Sequence, residues 1–253
     1  MIYRAYEPLG HPNCNPGDHL VERGARKLLG RLGIDIEDPE TLYVVGTPWL
    51  WHRCSESEKY AALRTALEQP YRRKVALGIG SCFAWQGEPD LGAGDALEIW
   101  SGFDRVICRD EMAAALTGGV CLPCPSIWAV DGPVGQGSGF LAVDCDPWHP
   151  EYLTEEWIPE NYDRLNYKIG TFHSQDDIDR LLDKLLGYSR VVSKRIHAIL
   201  PISPFRKTKV VPSDSRALTA VRAGITPDSW SKATRIMEQR EGDWLQGYRE
   251  ALE

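Results

Sequence analysis

Arg195-Ile196-His197 stands one residue beyond the strand-like run Val191-Val192-Ser193, so a buried strand delivers an arginine and a histidine to one edge. A guanidinium offers a planar fork to phosphate or carboxylate, and imidazole exchanges protons near neutral pH. Together they suit group transfer from an anionic donor, with His197 and Arg195 in the reaction and Lys194 as a substrate contact. The same local pattern also describes an arginine paired to a helix-face acid beside a core histidine. Arg109-Asp110 ends the apolar run Val106-Ile107-Cys108 in the same manner. Arg109 supplies a second anion contact, and Asp110 suits the cap of the Ala-rich helix that follows.

Three further groups are candidate substrate contacts. Asn15, Gly17 and Asp18 open a helix, where free backbone N–H groups attract a polar ligand, although an Asx cap explains them equally well. Gly80 and Ser81 close the strand Val75-Ala76-Leu77-Gly78-Ile79-Gly80-Ser81, at the carboxyl end where open parallel sheets bind ligands. Trp49, in the aromatic loop 47–52 with Trp51 and His52, offers a face for a sugar or base, with core packing as the alternative. Arg206, Lys207 and Lys209 form a short basic patch or a solvated loop.

The elements that must position these residues alternate between short apolar runs and longer amphipathic segments, the pattern of parallel sheets covered by helices. The spacing predicts a helix from Asp18 that ends near Gly30 and Gly33. Strands follow at 42–46, 75–81, 105–108, 140–143, 167–171, 190–193 and 209–211. Ser55 and Glu58 match the capping box of one helix, and Ser174 and Asp177 that of another over Gln175–Leu186. The glycine-rich stretch 131–139 precedes a strand, whereas a phosphate loop follows one, so it is read as a linker. The architecture expected is α/β, with two Rossmann-like lobes at 1–134 and 135–253. A long amphipathic helix from Pro227, bearing Trp230, Ile236, Trp244 and Leu252, is placed where it can cross back onto the first lobe.

The bulk composition narrows the classes of function. A net charge of −7 argues against general nucleic-acid binding, which needs a basic face. No run of 18 apolar residues occurs, so membrane insertion is not expected, and the opening residues lack the apolar core of a signal peptide. With seven scattered cysteines, the expectation is a cytoplasmic protein without a disulfide framework. Cys121 and Cys124 have metal or redox spacing, yet no second pair exists to complete a zinc site. No metal or cofactor is expected.

In their order along the chain, these segments resemble the polysaccharide pyruvyl transferase family. Asn15-Pro16-Gly17-Asp18 is similar to that family's amino-terminal Asn-x-Gly-Asp turn, and Val75 to Ser81 to its glycine-ended strand. Val106 to Asp110 is similar to its Arg-Asp segment, and Val191 to Ala198 to its strand leading into Arg-x-His-Ala. The resemblance covers roughly residues 13 to 220. It implies a GT-B-like fold with an acceptor-side first lobe and a donor-side second lobe. It further implies a transferase that moves a pyruvyl group from phosphoenolpyruvate to hydroxyls of a sugar or glycan precursor. Arg109 and Arg195 would hold the donor and His197 would transfer a proton. One departure stands out: Pro123-Cys124-Pro125 replaces the family's Pro-Asp-Pro. The partners implied are an anionic small molecule and a glycan-type acceptor, with self-association into a homo-oligomer left open. A glycosyltransferase using a nucleotide sugar and a non-catalytic binding protein are the rival readings.

Overall fold

The computed structural model describes residues 1–4, 6, 8–46, 48–83, 89–92, 97–131, 134–145, 162–167, 172–212, 214–225, 230 and 233–253, with 233–239 as backbone only. It shows a mixed α/β protein with two parallel sheets. The first runs β1 (Ile2–Tyr3), β2 (Thr41–Val45), β4 (Arg73–Cys82), β5 (Arg105–Cys108) and β6 (Val120–Cys121). β3 (Pro48–Trp51) continues the line of β2 beside the carboxyl half of β4. The second has the order β10 (Lys207–Val210), β9 (Arg190–Ser193), β7 (Phe140–Val143), β8 (Asp163–Leu165).

Side-chain alternation sorts the cores. Leu42, Val44, Ala76 and Cys108 face outward with α2 (Glu58–Leu67), α3 (Glu98–Ser101) and α4 (Glu111–Thr117) around Trp49, Tyr60 and Trp100. Tyr43, Val45, Val75, Leu77 and Ile107 face inward and share one core with Leu141, Val143 and Val191 of the second sheet. Helix α1 (Pro16–Arg31) lies in this inner layer with α5 (Gln175–Leu186), α6 (Ile196–Ile199) and α7 (Ala217–Arg222). Helix α8 (Ala233–Leu252) crosses back to the first half. Its Trp244 and Tyr248 meet Trp128 edge-on at 6.3 and 5.7 Å, and the Tyr248 hydroxyl donates to the Pro123 carbonyl.

Several sequence expectations need correction. Residues 48–51 form a strand, because the Trp49 ring buries itself between Tyr60 and Trp100 and draws the backbone alongside β4. Ser57 caps α2, its hydroxyl accepting from the Tyr60 amide, while Ser55 lies in a preceding 3₁₀ turn. The basic patch dissolves: Arg206 donates to the carbonyls of Leu186 and Gly135, and Lys209 is buried in β10. The expected strand from Tyr167 falls mostly outside the described residues, and the observed neighbour of β7 is 163–165. The Pro227 start of the last helix and the Ile236 side chain also lie outside them. The capping box of α5, the Asp110 cap of α4 and the Asn15 cap of α1 are all present. The described linker residues 131 and 134–139 form no helix or strand. No helix among the described residues is long and apolar enough to cross a membrane, and none of their His, Cys, Asp and Glu side chains group as metal ligands.

Candidate functional site

The carboxyl ends of the two sheets meet at a small cavity of about 30 Å³ lined by Asn15, Pro48, Arg109, Tyr167, Arg195, Ile196, His197 and Arg216. It exists because β4 carries a bulge. Register against β5 shifts between Leu77 and Ile79, where Gly78 takes a φ of +74° that a side chain would strain. The extra residue reverses the alternation, so Ile79 faces the outer core and Gly80 faces inward. Arg109, two residues after inward-facing Ile107, then lays its guanidinium on Gly80: a Cβ added there would stand 2.1 Å from Arg109 Nε. Gly80→Ala is therefore expected to cost about 1–3 kcal/mol by overpacking, because the added methyl would stand where the buried guanidinium lies. Urea unfolding measures this, and an unchanged midpoint would show that Arg109 does not sit on Gly80.

The Arg109 side chain is wholly buried. Nη1 lies 2.9 Å from His197 Nε2, while among the described residues Nε and Nη2 have no hydrogen-bond partner. Because guanidinium nitrogens only donate, Nε2 accepts, which places the imidazole proton on Nδ1. Burial, reinforced by the positive charges of Arg109 and Arg216, holds His197 well below the ordinary histidine value, so the ring is neutral. Its other side packs against the start of α1, where a Cβ on Gly17 would meet Nδ1 at 2.5 Å. Cys124 stands behind it, Sγ 3.9 Å from Nε2.

Asp18 is a deeply buried acidic group of this region. Its Oδ2 accepts from Asn15 Nδ2 at 3.2 Å, and its Oδ1 has no partner among the described residues. Burial raises the carboxyl to about 6, against the pull of Arg109. The Tyr167 hydroxyl is likewise buried without a partner among the described residues. Unpaired buried donors and acceptors cost roughly 1–3 kcal/mol each, so three such side chains in one place mark a polar site built for something other than folding.

Of the sequence candidates, Asn15, Arg109, Arg195 and His197 line the cavity, and Gly17, Asp18 and Gly80 support it. Trp49 does not reach it and belongs to the outer core. Ser81 is committed elsewhere: its amide and hydroxyl both donate to Asp110, and its hydroxyl also meets Ser215, tying β4 to the loop after β10. Lys194 is exposed and outside the lining. Sequence reading missed Arg216, which lines the cavity and is anchored by Asp214, and Tyr167. An isolated Asp-Ser-Arg after a strand gave no periodic signal.

A larger groove of about 600 Å³ runs between α1, α5 and the linker. Its cations are engaged: Arg23 with Asp179, Lys27 with Asp131, and Arg206 with backbone carbonyls. The smaller cavity, with unsatisfied donors, is the chemically poised one.

No family model matches the chain, and no curated protein matches it. Among solved structures it is similar to a functionally uncharacterized protein from Klebsiella pneumoniae. The TM-score is 0.53 at 12% identity, over 84% of this chain and 85% of that one. That likeness is one of fold.

Proposed function

We propose that the cavity between the sheet edges binds the anionic donor of a transferase resembling the polysaccharide pyruvyl transferases. In this reading a pyruvyl group passes from phosphoenolpyruvate to hydroxyls of a sugar or glycan precursor. The arrangement is GT-B-like, with residues 1–134 on the acceptor side and 135–253 on the donor side. The observation that carries the reading is the buried Arg109 guanidinium, whose Nε and Nη2 donors await an acceptor beside a neutral imidazole. Anion oxygens are the natural partners of such donors, and Arg195 and Arg216 line the same cavity.

The present cavity admits a water or two, so donor binding requires Arg109 to leave His197 and turn to the anion. That movement frees Nε2. The enol CH₂ then takes a proton, an acceptor hydroxyl attacks the adjacent carbon and gives up its own proton, and phosphate departs. A second hydroxyl closes the cyclic ketal and passes its proton to the departed phosphate, which leaves as hydrogen phosphate. A neutral His197 suits removal of the hydroxyl proton, and Asp18, half-protonated near pH 6, suits delivery to carbon. The anionic donor would also offset the arginine charges that add to burial in keeping His197 neutral.

A thermal-shift panel tests the reading with phosphoenolpyruvate, inorganic phosphate and nucleotide sugars on wild type and Arg195→Ala. Phosphoenolpyruvate at a hundredfold excess over its dissociation constant should stabilise wild type by about 2.7 kcal/mol, or roughly 5–10 °C, and Arg195→Ala much less. Stabilisation by a nucleotide sugar alone would favour the glycosyltransferase, and a response to none would end the anion-site reading.

A further inference from the structure

Asp144 has an unusual backbone and a fully used side chain. It follows β7 directly and takes a φ of +48°, left-handed geometry that a residue with a Cβ adopts only under local constraint. Its amide donates to the Leu165 carbonyl at 3.0 Å, at the end of β8. Oδ1 accepts from the Tyr167 amide at 2.7 Å, and Oδ2 accepts from Arg195 Nε at 2.8 Å. One carboxylate thus joins the carboxyl ends of β7, β8 and β9. In the order β10-β9-β7-β8 the chain leaves β7 first to one side and then to the other. The gap between β7 and β9 is therefore the switch point where open parallel sheets bind ligands.

We propose that Asp144 is a positioning residue that fixes the Arg195 guanidinium by its Nε, so that its two terminal nitrogens face the cavity. The inference rests on the anion-site reading above. Arg195 lines the cavity, its side chain is 33% exposed, and among the described residues its guanidinium makes no other hydrogen bond. Ser193 holds the other end: its hydroxyl donates to the Val143 carbonyl and accepts from the Arg195 amide at 2.8 Å. The carboxylate is chemically required. An amide in its place has one accepting oxygen and one donating nitrogen, so it would satisfy the Tyr167 amide or Arg195 Nε, not both. The same tie sets the position of Tyr167, whose buried hydroxyl lies at the cavity wall.

The experiment combines calorimetric titration of phosphoenolpyruvate with NMR of the Arg195 Nε–H group in the full chain. Asp144→Asn tests the carboxylate, and Asp144→Gly removes it while also relieving the left-handed backbone, which protects folding. Each should weaken binding about tenfold or more, the scale seen when partners that orient metal ligands are removed. In an Arg195→Ala background Asp144→Gly should cost no further affinity, whereas a merely structural knot would weaken both backgrounds equally. The Arg195 Nε–H resonance should be ordered in wild type and averaged in Asp144→Asn. Wild-type affinity in both Asp144 variants, additive losses in the double variant, or an unchanged Nε–H signal would overturn the proposal. If wild type binds no phosphoenolpyruvate, the donor reading fails, and the Nε–H signal alone decides whether Asp144 positions Arg195.

Discussion

Arg109→Met is expected to weaken phosphoenolpyruvate binding by at least about a hundredfold while moving the unfolding midpoint by only a few degrees. Two charge-assisted hydrogen bonds from Nε and Nη2 to an anion are worth about 1.5–3 kcal/mol each, which is two to four decades of affinity. Folding gains little from the same guanidinium. Among the described residues its side chain hydrogen-bonds only to a neutral imidazole, and burying a cation with two idle donors is costly. Methionine fills similar space and needs no partners. Calorimetry and a thermal scan on the same sample check both halves of the statement. Retained affinity would remove Arg109 from the site.

Asp18→Asn should stabilise the protein by about 3 kcal/mol at pH 7.5, raising the midpoint by roughly 6–12 °C, and by almost nothing near pH 3.5. The direction follows from proton linkage. The folded carboxyl titrates at about 6 and its ordinary value is 3.8, so below the lower value both states hold the proton. As pH rises from there to 6 the unfolded chain releases the proton while the folded one keeps it, and stability falls. Above 6 the whole cost remains, and asparagine, with no proton to lose, avoids it. His197 works in the opposite sense. Its folded value is depressed, so stability is lost as pH falls below the ordinary histidine range. A gain from Asp18→Asn that did not shrink on acidification would mean that burial of charge is not its source. A carboxylate kept at such a cost beside a ligand cavity fits the stability that proteins forgo at working sites.

Much of this was legible from residue patterns, because strands and capped helices write themselves in periodicity and short-range chemistry. The α5 helix at Gln175–Leu186 with its Ser174 and Asp177 box, the strand leading into Arg195-Ile196-His197, and the terminal helix folding back were all readable. The bulge at Gly78 was not. A single inserted residue leaves the apolar run intact, yet it decides whether Gly80 faces Arg109 or the outer core. Trp49 shows the converse limit, since a tryptophan in an aromatic stretch looks alike whether it stacks on a ligand or packs edge-on against Tyr60. Arg216 and Tyr167 reach the cavity, and Asp144 reaches its lining residue Arg195, from segments far apart in sequence, and only the pairing of β7, β8 and β9 brings Tyr167 and Asp144 together.

The path of α8 bears on how the molecule is made. Trp244, Tyr248 and Leu252 complete the layer over Trp128 and Leu122, residues that emerge from the ribosome more than a hundred positions earlier. Throughout synthesis of the second sheet, the first therefore carries a bare indole surface that nothing local can cover. Such a half-finished nascent chain is a natural client for a holding chaperone, and its maturation waits on the arrival of residues 240–252.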